Sequence, residues 1–152
     1  MSHPHIRYGR LSGRWFVVII SVSSCPNSVL IAVSSGPTIT SGSSFTFFSF
    51  TPETTFIDYP TLGVDKNALY IGGNIFNCAG NALTGVSAYV VRKTNLLGGT
   101  ASVTIFRGLE GAGIWTPQGV DNDDPGATEG YFVGVDFNLY GRLGIRRVID
   151  PG

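Results

Sequence analysis

Two carboxylates, Asp58 and Asp65, are the side chains of this sequence best suited to catalysis. A pair of carboxyl groups roughly 5–10 Å apart can hydrolyse a glycosidic bond as acid and base. Asp is also common in turns, because its side chain accepts hydrogen bonds from the backbone that follows it. A similar segment at the start of the chain has His3 and Gly9 near these two places, which favours the turn interpretation.

A second acidic segment, residues 121–124, concentrates the oxygen ligands that calcium prefers. The segment does not fit the EF-hand pattern, because Pro125 takes the fifth position of that loop and Phe132 the twelfth. We therefore expect a solvated turn and no cofactor. Calcium is the alternative, and its ligands would be Asp121, Asp123 and Asp124.

Aromatic side chains are the candidates for ligand contact, because their rings stack on the apolar faces of sugars. Trp115 lies in a Gly-rich segment and Tyr59 lies between the two candidate carboxylates. Packing between sheets is the alternative role for both. The sequence has no G-x-S-x-G elbow and no Walker loop, and its two histidines stand at the N-terminus, where a Ser-His-Asp triad is not expected. These observations favour a binding module over an enzyme.

The charge of the chain is balanced, with ten basic and ten acidic residues. A net charge of zero gives no general attraction to nucleic acid or to a membrane surface. No apolar run reaches the roughly 18 residues of a transmembrane helix. Hydrophobic residues make up 43% and charged residues 13%, which excludes intrinsic disorder.

Cys25 and Cys78 are the only cysteines. A zinc site would need both of them together with both histidines, at a spacing unlike that of known zinc motifs. A disulfide, which requires an oxidising compartment, is an open alternative. Two isolated buried thiols are the favoured interpretation.

Short apolar runs separated by Gly, Pro and Ser clusters predict an all-β fold. The run at residues 15–22 follows three arginines and could be mistaken for a secretory signal. We interpret it as a strand, because similar runs recur downstream, and we expect no clear signal peptide. The runs are residues 15–22, 29–33, 45–50, 68–71, 88–91, 103–106, 131–135 and 143–148.

The runs form an approximate repeat of about 55 residues, which is typical of the four-stranded blades of a β-propeller. The repeat divides the single domain into units at about 10–57, 58–122 and 123–152. Cys25 and Cys78 stand 53 residues apart at matching places in the first two units.

Residues 10–16, 56–71 and 131–152 resemble blade junctions and blades of large bacterial exported β-propeller proteins of the sialidase-like repeat type. The resemblance implies an extracellular or periplasmic location and a ring of six to eight blades. This chain holds about three, so we expect a fragment whose ring is completed by association of copies. The predicted function is a binding or structural module that presents loops to a glycan or a protein. A glycoside hydrolase with channel-facing carboxylates is the alternative.

Overall fold

The computed structural model describes residues 2–40 and 44–152, which form three antiparallel sheets. The prediction of an all-β fold is confirmed. In the first and third sheets, strands that are consecutive in sequence lie side by side. The first sheet consists of β1 (Ser2–Gly9), β2 (Arg14–Ile20), β3 (Val29–Ser34) and β4 (Phe45–Phe50).

The second sheet is the central one. Its first strand is split into β5 and β6, which both pair with β7. The sheet consists of β5 (Phe56–Asp58), β6 (Gly63–Val64), β7 (Ala68–Phe76), β8 (Leu83–Arg92) and β9 (Val103–Arg107). A single helical turn, α1 (Lys93–Leu97), joins β8 to β9.

The third sheet has three strands among the described residues: β10 (Trp115–Gly119), β11 (Glu129–Val135) and β12 (Leu143–Ile149). A 3-10 turn at Leu109–Ala112 leads into β10. This third sheet therefore begins inside the range 58–122 that the repeat assigns to the second unit.

The core lies in two layers, one on each face of the second sheet. Strands bury alternate side chains, and Phe16, Val18 and Ile20 of β2 pack with Leu69 and Ile71 of β7 in the first layer. In the second layer Tyr70 packs against Phe132 of the third sheet, with ring centroids 5.7 Å apart. Because both of its faces are buried, the second sheet is continuously apolar along much of β7 and β8.

Glycines let the second and third sheets approach until their backbones touch. A Cβ atom at Gly72 would overlap the carbonyl oxygen of Pro117, and one at Gly130 would overlap the ring of Tyr70. Side chains at these two positions would push the third sheet away.

A disulfide joins Cys25 to Cys78, whose Cα atoms are 5.6 Å apart. The favoured interpretation of two isolated thiols was therefore wrong. Cys25 lies in the turn between β2 and β3, and Cys78 in the turn between β7 and β8. Stacking the first two sheets brings these equivalent turns together, which is a contact that no local pattern reveals.

The first and third sheets each leave one face uncovered. On the first sheet this face, here called the first outer face, is mostly apolar, and Phe47 on it is 72% exposed. Cross-strand register places on it Ile6, Tyr8, Trp15, Val17, Ile19, Leu30, Ala32, Phe45 and Phe47. The second outer face, on the third sheet, carries Tyr131, Val133, Val135, Leu143, Ile145 and Ile149.

Candidate functional site

The first strand of each sheet is interrupted at an X-Pro pair. The pairs are His3-Pro4, Tyr59-Pro60 and Thr116-Pro117, and the residues before proline have φ of 53°, 51° and 47°. The register shifts at this place in β1 and in β10, and the same break separates β5 from β6. Positive φ is uncommon for residues other than glycine, and it is a clear outlier for a β-branched Thr. The three sheets thus share one irregular backbone feature.

The three interruptions are joined by side-chain contacts. His3 Nε2 lies 3.2 Å from Asp58 Oδ1, and the rings of His3 and Tyr59 meet in a T-shaped arrangement at 5.8 Å. Asn74, which pairs with Asp58 across the sheet, approaches the Thr116 hydroxyl at 3.5 Å. We name these residues, His3, Asp58, Tyr59, Asn74 and Thr116, the X-Pro row. They form a polar strip with one aromatic ring across three sheets.

Two buried polar side chains hold the row in place. The amide of Asn27 donates to the carbonyl of Ile57 at 2.8 Å and accepts from its N–H at 2.7 Å, which fixes β5 next to the first sheet. The hydroxyl of Thr61 donates to the carbonyl of Pro117 at 2.8 Å and accepts from Gly72 N–H. These bonds tie the second X-Pro pair to its neighbours on both sides.

One polar atom of the row is unmatched. The Oδ1 atom of Asn74 is buried, and the described residues offer it no hydrogen-bond partner. A buried acceptor without a partner costs about 1–3 kcal/mol, so such groups are rare and are often functional.

Trp115, a predicted ligand contact, directly precedes Thr116. Its ring stacks on Phe137 with centroids 5.0 Å apart and planes 11° apart. Its indole Nε1 is buried and also lacks a partner within the part of the chain that is described. Trp115 therefore contributes more to packing at the edge of the third sheet than to an open aromatic surface.

Asp65, a predicted catalytic residue, is buried within the fold rather than in the row. Its Oδ1 accepts from the backbone N–H groups of Asn67 and Ala68 at 2.7 and 2.8 Å, and its Oδ2 accepts from the Tyr70 hydroxyl at 2.7 Å. Lys93, itself buried, donates to the carbonyl of Asp65. These contacts support the turn interpretation for Asp65. Asp58, by contrast, is exposed beside His3.

This buried cluster shifts the pKa of two of its members. Burial lowers the pKa of Lys93, and the nearby Asp65 partly opposes that change. Burial also raises the pKa of the Tyr70 phenol, and its hydrogen bond to Asp65 adds to the increase. The phenol therefore stays protonated in the folded chain at a pH where it ionises in the unfolded chain.

Tyr70 should accordingly make the protein sensitive to alkali. A raised pKa gives stability that is complete below the phenol's ordinary pKa and is lost as pH rises above it. We expect the free energy of unfolding to fall between about pH 8 and about pH 11, and to fall less in Tyr70→Phe than in the unsubstituted protein. Urea denaturation at the two pH values measures both decreases. An equal decrease in the two proteins would contradict the assignment.

The predicted calcium ligands are engaged by other groups. Asp121 pairs with Arg7 at 2.9 Å and accepts from Val64 N–H, while Asp123 pairs with Arg10 at 3.1 Å. Asp124 accepts from Gly126 N–H in a turn. Within residues 2–40 and 44–152, no three acidic, His or Cys side chains are placed to hold a metal ion. The segment links the first sheet to the third through arginines.

Sequence reasoning singled out Asp58 and Tyr59 but missed His3, Asn74 and Thr116. His3 was set aside as terminal, although its contacts are with residues more than 50 positions away. The X-Pro dipeptides at positions 3, 59 and 116 recur at nearly constant spacing, and this spacing was the available signal.

The chain matches no protein-family model, no curated protein and no solved structure. Its resemblance to exported propellers thus stays a prediction. In the described segments no helix has both the length and the apolar character needed to cross a membrane.

Proposed function

We propose that this protein is a non-catalytic interaction module, a partial β-propeller of three blades, whose two outer faces bind a second copy of the chain. The observation that carries the proposal is the exposed apolar surface of the first sheet. That face includes a groove of ≈ 450 Å³ lined by Val17, Ile19, Leu30 and Phe47 among others. Contiguous apolar surface of this kind marks a contact site on a protein.

The three sheets are stacked in one direction, and this supports a second copy as the partner. The residues opposite Ser2, Asp58 and Trp115 on the neighbouring strands are Ile20, Asn74 and Val135. Ile20, Asn74 and Val135 are therefore equivalent positions, and their side chains leave the three sheets in the same direction. Ile20 faces the second sheet, Asn74 faces the third sheet, and Val135 faces outward.

The second outer face is therefore equivalent to faces that bind a following sheet within the chain. By the same alternation, the first outer face is equivalent to faces that bind a preceding sheet. The ion pair Arg147–Glu129, at 3.5 Å, is the only charged pair recorded on the second outer face among the described residues, so little charge has to be buried unpaired. Contact between the two outer faces would join faces equivalent to those that already pack together inside the chain.

Such a contact is head-to-tail, and head-to-tail contacts close into rings when their rotation allows it. Two copies would place six sheets in the ring, within the four to eight blades typical of propellers. We therefore propose a closed homodimer. A glycoside hydrolase based on Asp58 and Asp65 is not proposed, because the Asp65 carboxylate is occupied by hydrogen bonds in the core.

We also propose that the protein works in an oxidising compartment, outside the cell or in the periplasm. The Cys25–Cys78 disulfide supports this location, because such bonds persist mainly where thiols are not kept reduced.

Replacing Phe47 by Glu is expected to convert the dimer to a monomer, because the substitution puts a charge in the apolar groove of the first outer face. Light scattering after size exclusion should give twice the 16.1 kDa chain mass for the unsubstituted protein and one chain mass for Phe47→Glu. Leu83→Glu is the matched control, since Leu83 is a partly exposed apolar residue of the second sheet outside both outer faces. It should remain dimeric.

A second variant distinguishes head-to-tail contact from a symmetric contact between two first outer faces. Ile145→Glu, on the second outer face, should also be monomeric alone, and mixing it with Phe47→Glu should restore a dimer through the one intact interface. A symmetric contact would leave Ile145→Glu dimeric. A monomeric unsubstituted protein would overturn the proposal.

A further inference from the structure

We infer that the X-Pro row is a binding site for a neutral saccharide. The row lies within one copy of the chain, so the inference does not require self-association. It rests on the contacts of five side chains and on the backbone that holds them.

The row combines an aromatic ring with several polar groups that face the same strip. Tyr59 is 46% exposed, and the His3 ring meets it in a T-shaped arrangement rather than stacking flat on it. The His3 imidazole also contacts the Asp58 carboxylate, and the Thr116 hydroxyl lies next to Asn74, the cross-strand partner of Asp58. A saccharide site is expected to combine an aromatic ring, which contacts the apolar face of the sugar, with a few hydrogen-bond donors and acceptors for its hydroxyl groups.

The Thr116 hydroxyl is available to a ligand. It accepts a long contact from Asn74 Nδ2, at 3.5 Å. A hydrogen bond of this length is weak, so a ligand hydroxyl could take the place of Asn74 as the partner of Thr116.

The charge of the row favours a neutral ligand. The row contains the Asp58 carboxylate and no lysine or arginine, so it offers no cluster of cationic side chains to a phosphate or a sulfate. The nearby arginines Arg7 and Arg10 are paired with Asp121 and Asp123.

The backbone of the row is fixed before any ligand arrives. Two of the positive-φ residues stand next to buried hydrogen bonds: Asn27 binds Ile57, two residues before Tyr59, and Thr61 binds the carbonyl of Pro117, the residue after Thr116. A preformed site loses less conformational entropy on binding. This accounts for the retention of an unfavourable backbone at the same place in three sheets.

The test is titration of the protein with cellohexaose, maltohexaose and chitohexaose, followed by the NMR signals of the His3 imidazole and by calorimetry. At least one of the three should shift the His3 signals and bind with a measurable affinity. Inorganic phosphate should do neither. Absence of binding by all three at millimolar concentration, or binding of phosphate in their place, would overturn the inference.

Variants of Tyr59 test the role of the ring. Tyr59→Asn should weaken binding about tenfold, and Asn is chosen because it tolerates positive φ. Tyr59→Phe should retain most of the affinity. Tyr140→Ala is the matched control, since Tyr140 is a fully exposed tyrosine outside the row, and it should bind normally. Equal weakening in Tyr59→Asn and Tyr140→Ala would overturn the assignment.

Phe47→Glu should still bind the saccharide, which separates this inference from the proposed dimer.

Discussion

Asp65→Ala is expected to lower the free energy of unfolding by about 3–5 kcal/mol. The carboxylate accepts hydrogen bonds from Asn67 N–H, Ala68 N–H and the Tyr70 hydroxyl, and Asp65 is only 2% exposed. Its removal leaves these three donors without a partner, and two of them, Ala68 N–H and the Tyr70 hydroxyl, are buried in the core. It also removes the negative charge that stabilises the buried ammonium group of Lys93.

Urea denaturation at neutral pH measures this loss, and Asp58→Ala is the matched control. The Asp58 side chain is 38% exposed and its partner is the His3 imidazole, so its removal should cost less than about 1 kcal/mol. Asp65→Asn should fall between the two, because one oxygen remains as an acceptor. Equal stability of Asp65→Ala and Asp58→Ala would contradict the structural role of Asp65.

Loss of the disulfide is expected to have a comparable effect. Cys25→Ser/Cys78→Ser should lower the free energy of unfolding by about 4 kcal/mol, because the bond restricts a long loop of the unfolded chain. The cysteines are 53 residues apart, and the bond connects two separate sheets.

The same denaturation experiment with and without a phosphine reductant gives the control. Reductant should destabilise the unsubstituted protein to the level of the double variant and should leave the double variant unchanged. A double variant as stable as the oxidised protein would show that the two sheets are held together by their core alone.

The strands were predictable where local pattern and burial agree. Phe16, Val18 and Ile20 alternate with residues of the outer face, and this alternation predicts β2 from the sequence alone. The first strands were harder, because β1 and β10 contain His, Pro, Gln and Arg and are defined by their pairing with β2 and β11. In β10, the carbonyl of Pro117 bonds to Thr61, which lies between β5 and β6, and a local sequence pattern does not record such a contact.

The same contrast applies to individual site residues. Asp65 precedes the two N–H groups that it binds, so its turn role was visible in the sequence. The contact between His3 and Asp58 depends on how two sheets stack, and it was not visible. Phe47 illustrates a third case: its run predicts a strand with aromatic residues on both faces, but only the stacking shows which face is left uncovered.

The one-way stacking of the sheets bears on how chains of this kind could change in length over time. Each sheet has one face of the kind that packs on a preceding sheet and one face of the kind that packs on a following sheet. A duplicated sheet could therefore be inserted without a new kind of packing surface. The X-Pro pair would travel with each duplicate and extend the strip by one position. Gene duplication would thus lengthen the molecule and its row of X-Pro pairs in the same event.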